Sequence, residues 1–154
     1  MNIRLLFLLI LTISCNKNYY EEYAVVSATK EATNAGIKIL EQGGNAFDAM
    51  IAVDLALAVT YPNAGNLGGG GFMVYIDSSG QSGSLDFREK APKKSHSSMY
   101  LDENGEVITG LSYEGALSVG VPGTVAGLFE VYKKFGSISL DKIFEPAIYL
   151  AKNG

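Results

Sequence analysis

Arg88, within Asp86-Phe87-Arg88-Glu89, is the residue of this sequence best suited by type and setting to chemistry. A guanidinium is permanently charged and matches a carboxylate through two parallel hydrogen bonds, so it suits recognition of an amino-acid α-carboxylate. Spacing alone favours a plainer role, an ion pair with Asp86 or Glu89. Asp48 and Asp54 invite a reading as a catalytic pair, but six positions on a helix set them about 240° apart, so they do not converge on one atom. Asp48 is better placed to cap a helix with Asn45, and Asp54 to make a buried polar contact. His96, the sole histidine, lies among serines and lysines and reads as a solvated loop residue. Gly68 to Gly71 could cradle a phosphate, yet no Gly-Lys-Ser/Thr follows, and the next element is a strand where a phosphate site wants a helix N-terminus. No cluster has metal-ligand spacing and no Gly-x-Ser-x-Gly elbow occurs, so the residues by themselves offer no nucleophile, base, metal or cofactor.

These residues must be positioned by the elements around them. Ala24-Val25-Val26 reads as a short buried strand. Residues 30 to 42 carry Ala32, Gly36, Ile39 and Leu40 on one helix face, closed by Gly43-Gly44. Ala46 to Val59 is apolar on nearly every side, which predicts a helix covered all round. Tyr61 to Asn66 is a loop, and four glycines, able to adopt positive φ or to approach neighbours closely, lead into a strand over Phe72 to Ile76. Ser78 to Gly83 connects it to a second strand, Ser84 to Glu89, with Leu85 and Phe87 on one face and Asp86 and Arg88 on the other. Lys93 to Ser118 is loop-like, with a tight turn at Asn104-Gly105. Thr124 is placed to cap a helix reaching Lys134. Ser139 starts another, which Pro146 is expected to interrupt with Glu145 as a fresh cap.

With 154 residues, 47% of them apolar and 18% charged, the chain has the composition of one globular domain. A net charge of −4 without a basic run argues against nucleic acid as a partner. Arg4 followed by the nine-residue apolar run Leu5 to Ile13 has the form of a secretory signal, too short to span a bilayer. Ser14-Cys15 after that run resembles the processing site of bacterial lipoproteins, with Thr12 where leucine is more usual. The other reading is an ordinary signal peptide with Cys15 incidental. On the lipoprotein reading, residues 1–14 are a signal peptide, Cys15 carries the lipid, residues 15–23 are a polar tether, and the protein is anchored in the periplasm or at the cell surface. A sole cysteine allows no disulfide within the chain.

Four blocks in order resemble the N-terminal signature of the γ-glutamyltransferases, also called glutathione hydrolases. They are Glu41-Gln42-Gly43-Gly44-Asn45-Ala46-Phe47-Asp48-Ala49, Gly65-Asn66-Leu67-Gly68-Gly69-Gly70-Gly71-Phe72, Asp86-Phe87-Arg88-Glu89 and Gly120-Val121-Pro122-Gly123-Thr124-Val125-Ala126-Gly127. The resemblance implies an α/β (α+β) fold, the αββα sandwich of the N-terminal-nucleophile hydrolases, with residues 24–154 supplying part of it. It implies an enzyme that cleaves the γ-glutamyl bond of glutathione and related compounds and passes the γ-glutamyl group to amino acids, peptides or water. It assigns Arg88 to the substrate's α-carboxylate. The family's threonine nucleophile is freed by self-cleavage and lies in its second half, so this chain is expected to need that C-terminal part, with its small subunit, and to be inactive alone. A related acylase, a poly-γ-glutamate transpeptidase and a non-enzymatic carboxylate-binding surface lipoprotein are the alternative readings.

Overall fold

The computed structural model describes residues 23–154. The apolar run, Cys15 and nearly all of the tether lie outside the described residues. Within them the order is α1 (Lys30–Glu41), α2 (Ala46–Thr60), β1 (Phe72–Ile76), β2 (Ser82–Asp86), a 3₁₀ turn (Ala116–Ser118), α3 (Thr124–Phe135) and α4 (Leu140–Asn153).

Helix α1 starts where Thr29, in extended conformation, accepts a hydrogen bond from the Ala32 amide. It ends in a Schellman turn. Gly43, at φ 86°, donates to Leu40, and Gly44 donates to Ile39. Its buried face is Ala32, Ala35, Gly36 and Ile39. A Cβ at Gly36 would lie 2.7 Å from Val53 and 2.8 Å from Val25, so the missing side chain lets α2 approach closely. Residues 24–26 lie against this helix but form no strand. Nothing among the described residues pairs with them, and Val26 is 93% exposed.

Helix α2 opens on the expected capping box. Asn45 accepts from the Phe47 and Asp48 amides, and Asp48 accepts from the Asn45 amide at 3.0 Å. The helix is not covered all round. Ala49, Ile51, Ala52 and Ala56 are buried against α1, α3 and α4, whereas Met50, Val53 and Leu57 stay half-buried along a cleft. The principal core joins Ile39, Ile51, Leu128, Val131 and Ile143, and a second, small-residue cluster of Ala32, Ala35 and Ala56 seals α1 to α2.

Strands β1 and β2 are antiparallel, with Phe72 opposite Asp86 and Ile76 opposite Ser82. Met73, Tyr75 and Leu85 turn toward the helices, while Phe72, Val74 and Ile76 face outward and are exposed. The second strand stops at Asp86, short of the expected Glu89. The Phe87 amide still donates to Gly71, but Lys90 exchanges both its bonds with Val121, so the chain changes partner at Arg88–Glu89.

Two helix starts differ from expectation. Thr124 is the first helical residue of α3, not its cap; it is buried, and its hydroxyl donates to the Asn66 carbonyl at 3.3 Å. Pro146 does not interrupt α4, which is continuous. The proline is buried with Ile143 and Ala147, and that packing offsets the lost backbone bond, while Glu145 pairs with Lys38 at 3.2 Å.

Candidate functional site

The site is built from glycines that let three backbone segments meet at Phe87–Glu89. None of Gly68 to Gly71 has a positive φ, so none serves left-handed backbone, and close approach requires glycine at Gly70 and Gly71. A Cβ at Gly70 would fall 2.7 Å from the Arg88 Cα and 2.8 Å from the Glu89 amide, and one at Gly71 would meet the Phe87 ring at 2.9 Å. From the other side, a Cβ at Gly123 would fall on the Phe87 carbonyl and one at Gly127 on the Phe87 ring. The segment carrying Arg88 is thus gripped between the glycine turn and the start of α3. The two grips are joined, since the Gly123 and Thr124 amides both donate to the Gly69 carbonyl, at 2.9 and 3.1 Å. Those are two of the four free amides of the α3 N-terminus, and the protein's own carbonyl occupies both.

Arg88 projects from this clamp to the outside. Its Nε donates to Asp86 Oδ1 at 3.2 Å and its Nη2 to Asp86 Oδ2 at 3.0 Å, and its backbone amide also reaches Asp86 Oδ1 at 3.0 Å. The guanidinium carbon lies 4.9 Å from the centroid of the Phe72 ring. Hydrogen bonding from Arg88 holds the Asp86 carboxyl below its ordinary range, and the same bonds raise the guanidinium's hold on its proton. The ion pair anticipated from spacing is therefore formed, with the guanidinium exposed and its outer edge accessible to a ligand.

Behind the clamp, a cleft of about 410 Å³ is bounded by Met50, Asp54 and Leu57 of α2, the Asn66 loop, the glycine turn and Glu89. Burial raises the Asp54 carboxyl above its ordinary range. Asp48 is far from this role. It is fully buried and bridges two elements, accepting from the Asn45 amide and from both the amide and the hydroxyl of Ser137. The two aspartates are accordingly not brought together. His96 is exposed, and its ring Nδ1 lies 3.1 Å from the Ser98 hydroxyl. Among the described residues, no group of His, Cys, Asp and Glu could hold a metal ion. The sequence reading passed over Phe72 and the glycines at 123 and 127. The register that sets Phe72 opposite Asp86 is the signal for Phe72, and close approach to Phe87 is that for the two glycines.

Comparison with known proteins fits this geometry. The family described as gamma-glutamyltranspeptidase matches residues 32–154. A glutathione hydrolase proenzyme of Pseudomonas sp. is 49% identical over 134 residues, 87% of this chain and 23% of the relative. The crystal structure of Helicobacter pylori gamma-glutamyltranspeptidase superposes with a TM-score of 0.83 at 48% identity, over 88% of this chain and 39% of that one. The Bacillus anthracis transpeptidase enzyme CapD follows at 0.64 and 30%, over 84% of this chain and 38% of its own. The chain thus spans about a quarter of the length of the curated relatives, and its fold is the corresponding part of the N-terminal-nucleophile α+β architecture. The glycine turn, Arg88 and the start of α3 all fall inside the matched region, and the chain belongs to the gamma-glutamyltranspeptidase family.

Proposed function

We propose that this chain provides the substrate-carboxylate grip of a glutathione hydrolase that also acts as a γ-glutamyltransferase. The observation that carries this reading is Arg88, held by a glycine clamp yet exposing its guanidinium in a surface pocket lined by Asp86, Glu89 and Lys90. The α-carboxylate of a γ-glutamyl group meets the open edge of Arg88, and the γ-carbonyl is carried toward a nucleophile. That nucleophile, a threonine by family resemblance, and the donors for its oxyanion belong to the three quarters of the relatives' length outside this chain. The threonine hydroxyl adds to the γ-carbonyl and the amine leaves with a proton. Water or an amino acid then takes the acyl group and releases the threonine. The chain's own part is binding and orientation, which converts a diffusional encounter into a directed one.

We further propose export and membrane attachment through a lipidated Cys15, supported by Arg4, the apolar run and Ser14-Cys15. Fractionation of the wild type and Cys15→Ala tests it. The wild type should sediment with membranes and the variant should not, because each buried CH₂ of a lipid contributes about 0.8 kcal/mol.

The poly-γ-glutamate transpeptidase is the second reading, and the 49% identity to a glutathione hydrolase proenzyme, against 30% to the transpeptidase CapD, favours the small substrate. A chimaera in which residues 24–154 replace the equivalent part of the Pseudomonas glutathione hydrolase proenzyme decides between them. It should release the anilide from a γ-glutamyl anilide and cleave glutathione. Turnover of poly-γ-glutamate in preference to both would overturn the reading.

A further inference from the structure

The hairpin register places Phe72 directly opposite Asp86, and the two-residue period brings Arg88 back to the face that carries Asp86. Three side chains thereby meet on the outside of the sheet. Asp86 accepts three hydrogen bonds, all from Arg88, through its backbone amide, Nε and Nη2. Phe72, 66% exposed, lies beneath the guanidinium, with the charged carbon 4.9 Å from its ring centroid. The negatively polarised face of an aromatic ring attracts a cation. A free arginine side chain would lose rotamer freedom on gripping a ligand, and one already fixed at two points would not.

We propose that Asp86 and Phe72 are positioning residues that hold Arg88 ready for a ligand carboxylate. Asp86 engages the Nε–Nη2 edge, Phe72 supports one face, and the α-carboxylate of the γ-glutamyl group takes the remaining Nη1–Nη2 edge. The inference rests on the reading of Arg88 proposed above. It adds that the ion pair with Asp86 is part of the site and does not compete with it.

The test uses the chimaera described above with two substrates, a γ-glutamyl anilide and the 4-aminobutyryl anilide, which is the same acyl chain without the α-carboxylate. Where the second is not turned over, its inhibition constant replaces KM. Asp86→Asn should raise KM for the γ-glutamyl substrate about fivefold with kcat little changed, and Asp86→Glu should recover part of the loss. Phe72→Leu should raise KM about threefold, and Phe72→Tyr should not. Neither position should matter to the substrate lacking the carboxylate. An equal penalty on both substrates would reduce the two residues to structural ones. If Arg88→Ala raises KM while Asp86→Asn does not, the positioning role falls and the Arg88 site stands; if Arg88→Ala is harmless, the site itself falls. A second measurement is independent of turnover. The sequence has two arginines, Arg4 and Arg88, so the ¹⁵N spectrum of the arginine Nε groups of the full chain is simple. The Arg88 Nε–H should exchange slowly with water, and should become fast in Asp86→Asn. Fast exchange in the wild type would overturn the proposal.

Discussion

Asp48 ties the N-terminus of α2 to the junction between α3 and α4, and its removal should be the most damaging single change in the helical core. The carboxylate is fully buried and accepts from the Asn45 amide, the Ser137 amide and the Ser137 hydroxyl, while Asn45 Nδ2 donates to the Phe135 carbonyl at 2.7 Å. Asp48→Ala leaves two amides without partners at a place water reaches poorly, each costing about 1–3 kcal/mol. Allowing for incomplete additivity, the sum is roughly 2–5 kcal/mol. Urea titration of the full chain followed by circular dichroism measures it. With a slope of about 1–3 kcal/mol per molar, the midpoint should fall by roughly 1–5 M. Ser137→Ala, which removes only the hydroxyl, should cost about 1 kcal/mol, and the double variant should cost less than the sum. A loss below about 1 kcal/mol in Asp48→Ala would show that the freed amides find other partners, and would refute the reasoning.

Asp54 gives a prediction about pH. Its carboxyl is raised by burial above the ordinary value of 3.8, so the folded state holds the proton more tightly than the unfolded one. Ionisation therefore destabilises the fold, not at all below the ordinary value and fully above the raised one. Asp54→Asn should raise the melting temperature near pH 7, and the gain should vanish on acidification below pH 3.8; a gain that persists there would contradict the cause assigned. Gly123 has φ −109°, which any residue adopts, so Gly123→Ala tests sterics alone. Collision with the Phe87 carbonyl should cost about 1–3 kcal/mol in a denaturation curve. Gly80→Ala, at φ 84° but in open space, should cost about 1–2 kcal/mol through backbone strain alone.

Local features of this fold were legible wherever chemistry is local. The Asn45–Asp48 box, the Gly43-Gly44 stop, the alternating faces of the hairpin and the solvated His96 follow from neighbours in sequence. What failed depended on distant partners. The apolar stretch 24–26 resembles a strand, but strandhood needs a neighbouring strand. Pro146 continues a helix because buried packing on α1 outweighs one lost bond. The end of β2 is set by Lys90 finding Val121, some thirty residues on. Arg88 was visible as a candidate from its type. That Phe72 lies under it, that Gly70 and Gly123 hold its backbone and that Gly127 receives the Phe87 ring follow only from register and close approach.

The central claim, that Arg88 grips a substrate carboxylate, is tested most directly by steady-state kinetics of Arg88→Ala in the complete enzyme with a γ-glutamyl anilide. KM should rise roughly 30-fold or more with kcat little changed, because a grip held equally in ground and transition states is uniform binding. Arg88→Lys should recover little, as an ammonium lacks the two-pronged edge. Wild-type KM in the alanine variant would contradict the account and leave Arg88 as nothing more than the partner of Asp86.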